Sequence, residues 1–141
     1  MTRQWPIERQ GGFSLTELLI VIVIVGVLAG IGLPAYQDYA RKSKRSDAHQ
    51  GLSRLAQLQE RFFTDNNSYA ANATQLGYPS NTPASTGGYW QLSVVSGGPT
   101  YVVQAVPTGG HIDADCATMT LDSSGVRSST PPGAANCWSG R

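Results

Sequence analysis

A chain of 141 residues is the length of one domain, and its formal net charge of +1 supplies no global field to draw in nucleic acid. Catalysis has little to work with. His49 falls in a helical stretch and His111 in a glycine-flanked turn, and the layout contains no Gly-rich phosphate loop, no Cys-x-x-Cys and no Ser/His/Asp set, so neither an active site nor a cofactor site is expected.

Met1 to Gly12 is polar and has no hydrophobic core of its own, which marks it as a leader to be removed. Its loss takes away Arg3, Arg9 and Glu8 and leaves eight basic against eight acidic side chains. Phe13 to Leu33 follows, 21 residues, long enough as a helix at about 1.5 Å per residue to cross a hydrocarbon layer of about 30 Å. Glu17 breaks this apolar run near its start. A carboxylate well inside a bilayer costs roughly 2.5–3.5 kcal/mol even on lenient insertion scales, so its expected partner is a positive charge from another chain or from a processed terminus. Gly26, Gly30, Gly32 and Pro34 weaken the second half as an isolated helix. Two readings stand: a segment that loosens on leaving the membrane, or ordinary glycine-rich helix packing.

Gly12-Phe13-Ser14-Leu15-Thr16-Glu17, then a long Leu/Ile/Val run, resembles the processing site and N-terminal helix of the type IV pilins. The resemblance is close over roughly Gly11 to Tyr39 and architectural beyond it. It implies cleavage between Gly12 and Phe13 by a prepilin peptidase and N-methylation of Phe13. It also implies a role for Glu17 in neutralising the terminal amine of a neighbouring subunit during assembly.

Flanking charge points the other way: Arg3 and Arg9 precede the run while Arg41, Lys42, Lys44 and Arg45 follow it, which by count alone puts the C-terminal side in the cytoplasm. The leader with Glu17, and the cysteine pair, favour a body outside the cytoplasm instead. An ordinary signal peptide would be cut near Ala35, and Leu33-Pro34-Ala35 suits that poorly. Tyr36 and Tyr39 suit the lipid–water boundary. Beyond them Ala48, Leu52, Leu55, Ala56, Leu58, Phe62 and Phe63 recur at near-helical spacing, which predicts one helix from about Phe13 to about Phe63, apolar all round at first and amphipathic later. Arg41, Lys42, Lys44 and Arg45, with Arg54 and Arg61, make the later half its most basic part. Subunit or lipid contact, plain solvation and DNA contact are the competing readings.

Asp65-Asn66-Asn67 ends the helix, and residues 64–88 form a loop with a short helical turn near Ala73. Tyr69-Ala70-Ala71 and Leu76-Gly77-Tyr78 within it are expected to pack on the helix. Strands are expected over 89–95, 100–106 and 116–121, with a short fourth beginning at Val126 and Arg127. The fold class is therefore α+β, a long N-terminal helix packed by its amphipathic half on a small antiparallel meander. His111, Asp113 and Asp115 read as a polar turn, with a cation site as the lesser alternative and no metal expected. Cys116 and Cys137 read as a disulfide closing a loop of about 20 residues, worth roughly 3 kcal/mol. Two free thiols are the alternative in a cytosolic domain. The pair would hold the tail from Pro131 to Trp138 on the sheet.

The ending Cys116-Ala117-Thr118-Met119-Thr120-Leu121 with Cys137-Trp138 resembles the small minor pilins of the PilE group. That resemblance implies an inner-membrane prepilin with a periplasmic body, assembled into a surface filament. The partners it implies are other pilins, the prepilin peptidase and an ATP-driven assembly machine, serving pilus biogenesis, twitching motility and adhesion. A DNA-binding pilin for transformation is the alternative, weakened because residues 64–141 offer Arg127 and Arg141 against four aspartates. A type II secretion pseudopilin is the other.

Overall fold

The computed structural model describes residues 12–132 and 137–139. Apart from Gly12, the expected leader lies outside the described residues, as do residues 133–136 of the tail. A long helix, α1 (Leu15–Asn66), is followed by a 3-10 turn, η1 (Thr74–Leu76), and four strands: β1 (Trp90–Ser96), β2 (Val102–Pro107), β3 (Thr118–Asp122) and β4 (Arg127–Thr130). The architecture is the expected α+β one, with boundaries moved by one to three residues. Of the described residues, those up to Asp38 form one compact unit and those from Tyr39 onward a second.

In the first unit α1 starts at Leu15 rather than Phe13 because Ser14 is its cap: the Ser14 hydroxyl accepts the Glu17 backbone N–H at 3.2 Å. The run Ile20-Val21-Ile22-Val23-Ile24-Val25 is helical although β-branched residues favour strands. Every large apolar side chain from Phe13 to Leu33 is between 51% and 82% exposed. So much contiguous apolar surface far exceeds the few hundred Å² tolerated on soluble monomers, and α1 is long and apolar enough there to cross a membrane. A Cβ added at Gly26, Gly30 or Gly32 would meet nothing within 4 Å, so the chain's own packing gives no reason for glycine at these positions.

In the second unit α1 buries one stripe, Arg45, Ala48, Leu52, Leu55 and Gln59, spaced alternately by three and four residues. The strands pair in sequence order, all antiparallel. Alternation puts Trp90, Leu92, Val103, Ala105 and Met119 on the face that joins the helix stripe in the core. Fully burying side chains of the Leu52 or Leu55 kind contributes about 1.5–3 kcal/mol each. Phe63, expected on this face, lies off it, 37% exposed and stacked on Tyr69 at 4.6 Å, while Phe62, three residues after Gln59, is half-buried. The helix runs three residues past Phe63 and ends, as expected, within Asp65-Asn66-Asn67: Thr64 and Asn66 side chains donate to the Glu60 and Phe62 carbonyls in its last turn, and Asn67, in the left-handed region at φ 53°, stops it.

The helix-to-sheet loop packs on the core as expected. Ala70 and Ala73 are buried, and Leu76 and Tyr78 pack, partly buried, against the core. Gln59 holds the loop by both ends of its amide, donating to the Ala70 carbonyl at 2.9 Å and accepting its N–H at 2.8 Å. Tyr69 and Gly98 exchange backbone hydrogen bonds of 2.8 and 3.1 Å. That close approach requires Gly97, where a Cβ would sit 2.8 Å from the Ala70 carbonyl carbon and the Ala71 Cα. Replacing Gln59 by Met keeps volume but strands two buried backbone groups, each worth about 1–3 kcal/mol. We expect Gln59→Met to lose roughly 2–4 kcal/mol of stability in urea unfolding; an unchanged midpoint would show that the loop finds other partners.

Candidate functional site

Three places carry chemistry beyond packing, and the first is the start of α1. Gly12, Phe13 and Ser14 precede the helix and are exposed, Phe13 at 80%. Glu17 lies in the first turn, three residues after the capping Ser14. A carboxylate at a helix N-terminus gains about 0.3–1 kcal/mol from the macrodipole. That is less than the roughly 2.5–3.5 kcal/mol of placing it deep in a bilayer, so capping alone does not account for Glu17 in this sleeve.

The second place is a buried ionic clip. Arg45, expected in the exposed basic cluster, is 7% exposed, because its Nε and Nη2 donate to Asp113 at 2.6 and 2.7 Å. Nη2 also reaches Asp115 at 3.3 Å. The Asp113 hydrogen bonds outweigh burial and raise the Arg45 pKa. For Asp113, burial alone would raise the carboxyl, but the Arg45 hydrogen bonds and charge and the Cys116 N–H together bring it below the usual aspartate range. His111 does not join the two aspartates. It sits edge-on to Trp90 and Tyr89 at 5.5 and 5.9 Å, and burial, then the Lys44 charge, lower its pKa. The expected polar turn is therefore organised by Arg45, and no set of three metal-ligating side chains occurs among the described residues.

Third, the C-terminal segment is fastened to α1. Cys116 and Cys137 are joined by a disulfide, both residues buried. His49 Nε2 lies 2.7 Å from the Cys137 carbonyl, and its ring stacks on Trp138 at 4.7 Å and 2°. Trp138 Nε1 donates to the Ser128 carbonyl at 2.9 Å, and the Arg127 guanidinium lies 5.4 Å from the Trp138 ring. Burial lowers the His49 pKa more than the Cys137 carbonyl raises it. Elsewhere Tyr101, 3% exposed, is pushed up to about 12 by burial and then by Glu60.

The clips made by Arg45, His49 and Gln59, and that of Asp47 to Ser85 and the Gly87 N–H, were not read from the sequence. One signal was available. Arg45 stands three residues before Ala48 and Gln59 four after Leu55, so the apolar spacing, continued outward, lands on both.

A capped apolar helix with a carboxylate in its first turn, followed in the chain by a disulfide-closed antiparallel sheet, is the arrangement of a pilin-type subunit. The prokaryotic N-terminal methylation motif matches residues 8–33, and the family described as "Type IV minor pilin ComP, DNA uptake sequence receptor" matches residues 34–120. The chain belongs to this type IV pilin family. It is similar to the fimbrial protein EcpC of Eikenella corrodens, 36% identical over 117 residues, covering 83% of this chain and 66% of that one. It is also similar to the type IV major pilin protein PilA of Myxococcus xanthus, 37% identical over 70 residues, covering 50% and 32%. The match thus spans less than two thirds of either relative. A type IV pilin structure from Shewanella oneidensis aligns with a TM-score of 0.49 at 33% identity, over 70% of this chain and 97% of that one.

The ionic clip gives a test by pH. Asp113 titrates lower folded than unfolded, so its contribution is complete above about 3.9, the unfolded value, and is lost as pH falls through the depressed folded value. The difference in melting temperature between the wild type and Asp113→Asn is expected to be constant from about pH 7 to 5 and to shrink below about pH 4. A gap that persists undiminished to about pH 2 contradicts the assignment.

Proposed function

We propose that this chain is a minor subunit of a type IV pilus, made as an inner-membrane prepilin with its sheet-bearing body in the periplasm. In this reading it is cut between Gly12 and Phe13, methylated at Phe13, and assembled through the apolar part of α1. The observation that carries the reading is the exposed sleeve from Phe13 to Leu33, interrupted by the carboxylate of Glu17 and preceded by a non-helical, exposed Gly12–Phe13 bond. A peptidase needs an extended, accessible bond, and the Ser14 cap keeps that bond outside the helix. The match of the methylation motif to residues 8–33 supports it. Glu17 then pairs with the Phe13 amine of a neighbouring subunit, each charge offsetting the other's desolvation in an apolar filament core. The prepilin peptidase and an assembly ATPase are the partners this history requires. Pilus biogenesis, with twitching motility and adhesion, is the process it serves.

Mass spectrometry of the native chain is expected to find an N-methylated Phe13 terminus, and a mature chain that retains its first 12 residues ends the proposal. Glu17→Ala should insert in the membrane normally and enter filaments poorly, read as the ratio of membrane to sheared-pilus protein by immunoblot. Normal incorporation would remove the role given to the acid.

A second reading has one specific observation behind it: the matched family is described as a DNA uptake sequence receptor. In this reading the subunit captures DNA at the cell surface. Arg127 lies over Trp138, so the described cations that favour binding are those of α1. The full-length processed chain in detergent is expected to bind duplex DNA at about 50 mM salt and to lose affinity steeply by about 200 mM; absence of binding at the lower salt dismisses DNA capture. No separate observation favours a type II secretion pseudopilin.

A further inference from the structure

The basic residues of α1's second half are not equivalent once folded. Arg45 is buried against Asp113, the Lys44 ammonium lies 4.9 Å from the Tyr89 ring centre, and Arg41 is engaged within the chain. Arg54 and Arg61 are exposed and make no ion pair among the described residues. They stand seven residues apart, two turns of one helix face and about 10.5 Å along its axis. Each opens onto a groove. Arg54 shares one of about 480 Å³ with Gln50, Ser53, Gln57 and Thr86. Arg61 shares one of about 160 Å³ with Phe62, Asp65 and Gln75.

Two of the carboxylates near this face are occupied elsewhere, while Asp65, four residues after Arg61, lines the Arg61 groove and makes no ion pair among the described residues. Asp47, one heptad before Arg54, accepts from Ser85 and the Gly87 N–H, and Glu60 faces the Tyr69 hydroxyl. Ser53, Gln57 and Thr86 are neutral, and their side chains hydrogen-bond no protein group among the described residues. What remains is two guanidinium forks that make no ion pair among the described residues, with the Gln57 amide between them and one carboxylate, Asp65, beyond Arg61. One small anion cannot reach both forks, but a polymer carrying a repeated anion can. A DNA strand presents a phosphate about every 3.4 Å of axis, so a spacing of about 10.5 Å falls some three phosphates apart. Guanidinium forks also match phosphate oxygens in planar, two-point geometry.

We propose that Arg54 and Arg61, with Gln57 between them, form a phosphate track on α1 that holds the backbone of one DNA strand without reading its bases. The proposal rests on the DNA-capture reading above. A track of this kind positions a duplex and sets salt dependence, leaving sequence choice to other surfaces.

The test uses the full-length processed chain in detergent, with fluorescent duplexes of two unrelated sequences titrated between about 50 and 200 mM salt. Relative to the wild type, R54Q/R61Q is expected to bind about tenfold or more weakly on both duplexes. Its log–log salt slope should fall by about 2, close to one unit for each phosphate that is no longer neutralised. R54K/R61K should retain most of the slope, because the charges stay. If the wild type binds and R54Q/R61Q binds with the same affinity and slope, the track is wrong and DNA capture stands. If the wild type binds no DNA, both fall. If R54Q/R61Q binds DNA normally but no longer enters filaments, the arginines belong to an interface between subunits and the proposal is overturned.

Discussion

Arg45 and Gln59 close the two ends of the buried stripe on α1, and the unit from Tyr39 onward depends on both being fully paired. Three apolar residues between them, Ala48, Leu52 and Leu55, are a small core contribution for a domain whose sheet has four short strands. At one end the Arg45 guanidinium fixes the 111–116 loop through Asp113, which in turn receives the Cys116 N–H at 3.2 Å. At the other the Gln59 amide behaves like a strand edge, pairing both backbone groups of Ala70. Buried ion pairs are weak net stabilisers against apolar substitutes, yet losing one partner costs about 3–5 kcal/mol. Their effect here is therefore selective: a helix turned to another face leaves a buried charge at one end and two unpaired backbone groups at the other.

The same logic fixes the C-terminal segment. A disulfide joins Cys137 to Cys116, which lies just before β3, but one covalent link leaves rotation about its own bonds. The stack of Trp138 on His49 and the indole bond to the Ser128 carbonyl supply two further points, and three points define an orientation. The indole bond thereby ties the tail to the edge strand β4.

How much of this was legible depended on whether the signal was periodic. The long helix, the order of the strands and the turn near Ala73 followed from apolar spacing and turn residues, with each strand boundary displaced by only one or two positions. What stayed hidden was polar. Arg45 read as one more cation in a basic run because sequence alone does not show that Asp113, 68 residues later, will meet it. Near-helical spacing also includes Phe63, whose ring is instead turned toward the loop and stacks on Tyr69. The stretch holding Gly12, Phe13 and Glu17 stands out for a different reason: a carboxylate in an apolar run conflicts with its surroundings, and the methylation motif matched over residues 8–33 covers it.

That conflict also bears on how a subunit of this kind leaves a membrane. Apolar side chains gain little by moving from lipid tails to a bundle of like helices, since both surroundings are apolar. Ile20 to Val25, β-branched throughout, would be drawn to strand pairing in water, but in either apolar setting only a helix satisfies its backbone. In the proposed assembly, the transfer between lipid and filament is thus nearly level for the sleeve as a whole. The direction must come from the few groups that distinguish the two settings. In the proposed assembly these are Glu17, whose carboxylate finds a fixed amine only among other subunits, and Gly26, Gly30 and Gly32, which face open space in the single chain and permit close helix approach only when a neighbour arrives.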